Sequence, residues 1–216
     1  MSPRSNTDPR REPRQERSRR QVSNILDAAA HVFAEVGYEA ATTNAIAERA
    51  GASIGSLYQF FPNKAAIFQA LTARHHAQLR ELFDQVLRVE DVREPLGMWI
   101  DRIIDAIWKL TQSNRGFIQT LISHSSPELI AQENALIGEN VARIEALLLA
   151  RAPGLSDQRR QLLATVSVEV VSALLQRAAT AEPAFGEQVL AETKQLLAAY
   201  LTPAIAEASE PRASTV

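Results

Sequence analysis

The sequence has no cysteine, so disulfides, thiolate nucleophiles and sulfur-ligated metals are excluded, and a reducing compartment suits it. No apolar run reaches the roughly 20 residues of a membrane span, and the arginine-rich start is not followed by the apolar core of a signal peptide. A soluble, cytoplasmic protein is expected. Signatures of catalysis are missing as well: there is no Walker loop, no dinucleotide glycine fingerprint and no metalloprotease His-Glu motif. None of His31, His75, His76 or His124 has a glutamate three residues before it, as a di-metal carboxylate bundle would need. His75 and His76 are adjacent, so on a helix they project about 100° apart and make a poor pair of ligands. No metal, no cofactor and no enzymatic activity are expected.

What the chain does have is helical periodicity. Almost everything after residue 17 repeats its apolar positions every three to four residues, with no alternating strand pattern, so the fold class is all-α. Val22, Ile25, Leu26, Ala29, Phe33 and Val36 form the stripe of a first helix that stops at Gly37. A second short helix starts at a hydroxyl cap, Thr42 or Thr43, carries Ile46, Ala47 and Ala50 inward and stops at Gly51. The third is capped by Ser53, anchored by Leu57 and Phe60, and broken by Pro62. A long fourth helix covers about 64–88. Prolines at 95, 127, 153 and 183 then divide the rest into helices over 95–112, 114–124, 127–151, 156–180 and 184–201.

The net charge of −2 conceals an asymmetry. Residues 1–20 hold seven arginines against Asp8, Glu12 and Glu16, a balance of +4, which leaves −6 for the remainder. Such a front end suits a polyanion. Four sections follow: a basic arm without fixed structure (1–17), a helix-turn-helix unit (18–65), a larger helical regulatory and dimerisation domain (66–204) and an unstructured tail (205–216).

The helix-turn-helix reading rests on sterics. Two short helices crossing steeply at a tight turn need a small residue at closest approach, Ala47, and one tolerant of positive φ at the turn, Gly51. The third helix then keeps an outward face with little bulk. Gly55 and Ser56 let its backbone approach a duplex, Ser53, Ser56 and Tyr58 offer hydroxyls to phosphates, Ile54 suits a thymine methyl, and Gln59 suits an adenine edge. Thr42 and Thr43 lie at the neighbouring start of the second helix, Lys64 at the start of the fourth is placed for a phosphate, and Arg17, Arg19 and Arg20 extend the basic surface.

The segment resembles the DNA-binding domain of the TetR family of transcriptional repressors. The resemblance is carried by Thr42-Thr43, Ile46-Ala47, Ala50-Gly51, Ser53, Gly55-Ser56-Leu57-Tyr58, Phe61-Pro62 and Lys64, preceded by the helix end from Phe33 to Gly37. Phe60 departs from the family's usual Tyr or His and has no polar group to offer there. The resemblance implies a three-helix DNA-binding domain, a larger helical domain that binds a small ligand, and a homodimer joined through the last two helices. It spans residues 20–65 closely and the rest only in layout.

In the second domain, Glu133 and Asn140 interrupt the apolar stripe of helix 127–151. A carboxylate there needs a salt-bridge partner or a ligand. His75 lies on the apolar stripe of its own helix, and Trp99, Ile103 and Phe117 add bulk that is core or pocket wall; these six are the candidate ligand residues. Asp101, Asp105, Lys109 and Gln112 share a solvent face, with Asp105 and Lys109 spaced as an ion pair. Val166, Val170, Ala173 and Leu174, with Val189, Leu196, Leu197 and Tyr200, give the last two helices more apolar face than one domain requires, and form the candidate dimer interface. The function expected is a ligand-responsive repressor that binds a pseudo-palindromic operator as a homodimer and is released by a small, largely apolar effector. The alternative keeps the DNA-binding domain and makes the second domain a constitutive dimerisation or protein-interaction module.

Overall fold

The computed structural model describes residues 14–88, 93–124 and 126–209. Among them are nine helices and no strand: α1 (Arg14–Ala40), α2 (Thr43–Arg49), α3 (Ile54–Phe60), α4 (Lys64–Val86), α5 (Leu96–Ser113), α6 (Arg115–Ser123), α7 (Pro127–Arg151), α8 (Asp157–Thr180) and α9 (Pro183–Ser209). The chain divides into two compact units between Leu71 and Thr72, within α4. The sequence boundary at residue 65 is therefore about two turns early. Ile67, Phe68 and Leu71 are buried with the core of the first unit, and Phe68 meets Phe33 edge-on with ring centroids 5.1 Å apart.

The first unit forms around Ile25, Ala29 and Phe33 of α1, Ile46 and Ala47 of α2, and Leu57 of α3. Helix α1 begins at Arg14, so residues 14–17 of the expected arm are helical, while residues 1–13 lie outside the described residues. The anchor that closes α3 is Phe61, 7% exposed, and not Phe60, which is half-buried. Phe61 is the C-cap, where the backbone turns extended (φ −133°, ψ 113°) and no longer follows the helical stripe. Val36, expected on the buried stripe of α1, is 51% exposed.

Two glycines set the turns of this unit. Gly37 breaks α1 at φ 74°, ψ 175°, a region essentially closed to side chains, and Gly51 takes φ 61° between α2 and α3. After Gly37 the chain folds back so that Tyr38 stacks on Phe33 (5.8 Å) and meets Phe68 (5.0 Å).

In the second unit α8 packs against both α7 and α9, and α5 packs against α9. Ile104, Leu148, Leu163 and Leu201 are the most buried of its large side chains. Ser126 caps α7 by accepting from Leu129 N (3.3 Å), with Pro127 in the first turn where a missing N–H costs nothing. Ser156 caps α8 in the same way through Arg159 N (3.3 Å). Helix α9 runs past the expected end at 201, through Pro203 to Ser209. Proline removes one helical hydrogen bond, but Leu201 and Ala204 on either side of it are 2% and 3% exposed, and their burial carries the helix on. The tail expected from 205 thus begins as helix, and residues 210–216 lie outside the described residues. Asp105 pairs with Lys194 of α9 at 2.6 Å, and Asp101 lies 3.6 Å from the same ammonium. The expected Asp105–Lys109 pair is replaced by this cross-helix one.

A Cβ at Gly37 or at Gly51 would meet nothing within 4 Å, so substitutions there report backbone conformation alone. Gly51→Ala is expected to cost about 1 kcal/mol, largely recovered by Gly51→Asn, because Asn tolerates left-handed backbone. Gly37→Ala should cost roughly 1–3 kcal/mol, with no recovery by Asn. Urea unfolding of the four variants checks both.

Candidate nucleic-acid interface and internal cavities

The outward face of the helix-turn-helix is built from hydroxyl groups held in one particular sense. Thr42 Oγ1 accepts from Ala45 N (3.1 Å) and Ser53 Oγ accepts from Ser56 N (3.2 Å), capping α2 and α3. Ser56 Oγ accepts from Gln21 Nε2 of α1 (2.7 Å). Thr43 Oγ1 and Tyr58 Oη share one hydrogen bond at 3.2 Å, in which a single hydroxyl hydrogen is used. In the two caps and in the Gln21 bond the hydroxyl oxygen is the acceptor and its hydrogen stays available, whereas of Thr43 and Tyr58 one hydroxyl donates to the other and only one hydrogen stays available between them.

Around them Gly55 is exposed with open space above its Cα, Gln59 is exposed, Ile54 is 38% exposed and Tyr58 50%. Arg17, Arg19 and Arg20 are exposed on the first turns of α1, and Arg20 pairs with Glu16 at 3.2 Å. Lys64 differs from the expectation of an outward phosphate ligand. Its ammonium donates to the carbonyls of Tyr38 (2.6 Å) and Glu39 (3.0 Å) and lies 4.5 Å from the Tyr38 ring centroid, so two of its three N–H groups close the end of α1. Two further parts gave no sequence signal, because both join distant positions: Gln21, and the pair in which both Arg49 guanidinium nitrogens reach Glu35 (2.5 and 2.7 Å). That pair holds the Glu35 carboxyl below, and the Arg49 guanidinium above, their ordinary ranges.

The second unit contains two cavities. The larger, about 280 Å³, is walled by α4, α5, α6, α7 and α8, with His75, His76, Thr111, Glu133, Asn140 and Gln176 among its polar lining. Ile122 and Ile130 line it while 37% and 52% exposed, which marks its opening to solvent between α6 and α7. The smaller, about 80 Å³, is lined by Trp99, Ile100 and Ile103 among others, and shares Phe83, Ile107, Asn140, Val171 and Ser172 with the first. Of the six candidate ligand residues, His75, Glu133 and Asn140 line the larger cavity and Trp99, Ile103 and Asn140 the smaller. Phe117 lines neither; it is buried behind His75, ring centroids 6.0 Å apart. His76 and Gln176 had no sequence signal, since nothing local distinguishes a wall residue from core.

Several polar atoms in these walls are buried without a hydrogen-bond partner among the described residues: His75 Nδ1, His76 Nε2 and Asn140 Oδ1, and in the smaller cavity Trp99 Nε1 and Ser167 Oγ. Unpaired buried polar atoms are costly, and here they cluster where a bound molecule would satisfy them. Glu133 Oε2 lies 3.3 Å from His76 Nε2 without hydrogen-bond alignment. Burial, helped by His76 and opposed by Glu133, holds the His75 pKa down to about 4.

Of the candidate interface residues, Leu196 is 50% exposed, Ala173 is exposed, and Val166, Val170, Leu174, Val189 and Tyr200 are half-buried. Leu197 is corrected: at 5% exposed it belongs to the core of its own chain. Leu162 (49%) and Phe185 (48%) extend the exposed apolar faces of α8 and α9. By length and composition α8 could cross a membrane, but it packs against α7 and α9 through Leu163, Ala164 and Leu175.

A three-helix unit that presents a hydroxyl-bearing short helix, joined through α4 to a helical unit with internal cavities, defines a helix-turn-helix DNA-binding protein with a regulatory domain. Residues 25–71 match the family described as bacterial regulatory proteins, tetR family, and residues 95–201 match the tetracyclin repressor-like C-terminal domain. The chain is 30% identical over 164 residues to the HTH-type transcriptional activator FasR of Mycolicibacterium smegmatis, covering 74% of this chain and 72% of FasR. It is 32% identical over 105 residues to the HTH-type transcriptional repressor AcnR of Corynebacterium diphtheriae, 46% of this chain and 55% of that one. A solved TetR-family regulator from Streptomyces coelicolor superposes with a TM-score of 0.55 at 26% identity, over 85% of this chain and 98% of the other. The chain belongs to the TetR family of transcriptional regulators.

Neutral His75 makes stability depend on pH. The unfolded imidazole takes up a proton below about pH 6.5 and the folded one only near 4, so the stability present above 6.5 is lost as pH falls through that window, roughly 3 kcal/mol in all. His75→Gln should flatten this part of the profile, read as melting temperature against pH.

Proposed function

We propose that the chain is a ligand-responsive repressor: a homodimer that occupies a pseudo-palindromic operator and is released when a small effector enters the larger cavity. The observation that carries this reading is the course of α4. Its first turns hold Ile67 and Phe68 in the core of the DNA-binding unit, and the same helix supplies His75, His76, Leu79 and Phe83 to the cavity wall. A ligand that favours one placement of those wall residues biases α4, and through it the recognition helix.

On DNA, α3 enters the major groove. Ile54 and Gln59 read base edges; Thr42, Ser53, Ser56 and Tyr58 donate to phosphates, with Thr43 donating to Tyr58 Oη and so aiming its hydrogen outward, together with the remaining N–H of Lys64; Gly55 permits close approach; and Arg17, Arg19 and Arg20 follow the backbone. The dimer forms through the exposed apolar faces of α8 and α9, where Val166, Val170, Ala173 and Leu174 meet Val189, Leu196 and Tyr200 of the other copy or their own symmetry mates, and its twofold axis dictates the operator's symmetry.

Gel-shift titration against the DNA upstream of its own gene tests the first part, and absence of any shift at low salt would overturn it. Tyr58→Phe is expected to weaken binding roughly fivefold on all sequences, the effect of one lost hydrogen bond, whereas Gln59→Ala should change base preference at one position by about 1–3 kcal/mol. Leu196→Glu places a charge on an exposed apolar position. It should yield a folded monomer by sedimentation and abolish tight operator binding; a dimer that persists would relocate the interface.

A further inference from the structure

The charge of the larger cavity points to the class of molecule that fits it. Among the described residues lining it there is no lysine, arginine or aspartate, and Glu133 is the one carboxylate. Its side chain is 38% exposed and lies between apolar wall residues, Ile130 and Ile137 on its own helix. The imidazole in a position to offset it, His76, is 3.3 Å away but not aligned to donate, and the neighbouring His75 stays neutral because it is buried. Asn140 Oδ1 adds an unpaired acceptor, and Asn140 also lines the smaller cavity. The result is a chamber with an anion and unpaired acceptors at one side and, beyond Phe83 and Ile107, a second chamber walled by Trp99, Ile100 and Ile103.

A carboxylate ligand would meet like charge at Glu133, with no lysine or arginine in the wall to receive it. A ligand bearing an ammonium group would find both an opposite charge and acceptors for its N–H groups. The volume, about 280 Å³, stands at the low end of the roughly 300–1,000 Å³ typical of ligand pockets, so the molecule is small. We propose that the effector is a small amphipathic organic cation, its ammonium seated at Glu133 and Asn140 and its hydrocarbon body lying between Phe83 and Ile107 toward the smaller chamber. This rests on the reading that the larger cavity receives the effector.

The test uses three probes with one tail, octylammonium, 1-octanol and octanoate, titrated calorimetrically into the full-length protein near neutral pH, and into Glu133→Gln. Octylammonium is expected to bind roughly tenfold more tightly than octanol, with octanoate weakest. In Glu133→Gln the advantage of the ammonium should vanish while octanol affinity stays unchanged, which also reports an intact cavity. Octanoate binding as tightly as octylammonium, or an ammonium preference that survives Glu133→Gln, overturns the cation assignment and leaves the cavity reading standing. If none of the three binds, the cavity reading falls and the assignment with it.

Discussion

One ammonium group sets the geometry of the DNA-binding unit. Lys64 stands at the first residue of α4 and bonds to the last carbonyls of α1, so the beginning of one helix is fastened to the broken end of another. The break is Gly37, and the aromatic cluster of Phe33, Tyr38 and Phe68 fills the space beneath it. Helices of seven residues such as α2 and α3 are too short to persist alone. They are held in place by the frame that α1 gives α2 and α2 gives α3, with Ile46, Ala47 and Leu57 buried in it.

Within that frame, the outward hydroxyls serve the structure first. Each hydroxyl on the outward face is used internally through its oxygen, as an N-cap, as the acceptor of Gln21, or as one half of the Thr43–Tyr58 pair. The same atoms that stop the short helices from fraying are thereby held in fixed orientations. The second unit shows the opposite condition, with buried imidazole and amide atoms lacking partners.

Features that depend on neighbours in sequence were legible without coordinates. Ser53 as a cap, Gly37 and Gly51 as stops, Pro127 and Pro183 as helix starts, and the exposed small face of α3 all follow from interactions within four residues. Glu133 and Asn140 stood out as polar residues on an apolar stripe, and both reach the larger cavity. What failed depends on partners far along the chain. Phe61 replaces Phe60 because the end of α3 unwinds; Leu197 is core because α5 covers that side of α9; Asp105 turns to Lys194, 89 residues away. Nor can a periodicity argument see the carbonyls of Tyr38 and Glu39 converging on Lys64, where they engage two of its three N–H groups.

The five residues common to both chambers, Phe83, Ile107, Asn140, Val171 and Ser172, form a partition made of side chains. The two volumes are therefore not independent quantities. A substitution at any of these five residues reshapes both compartments at once, so from this wall neither outline can be altered alone.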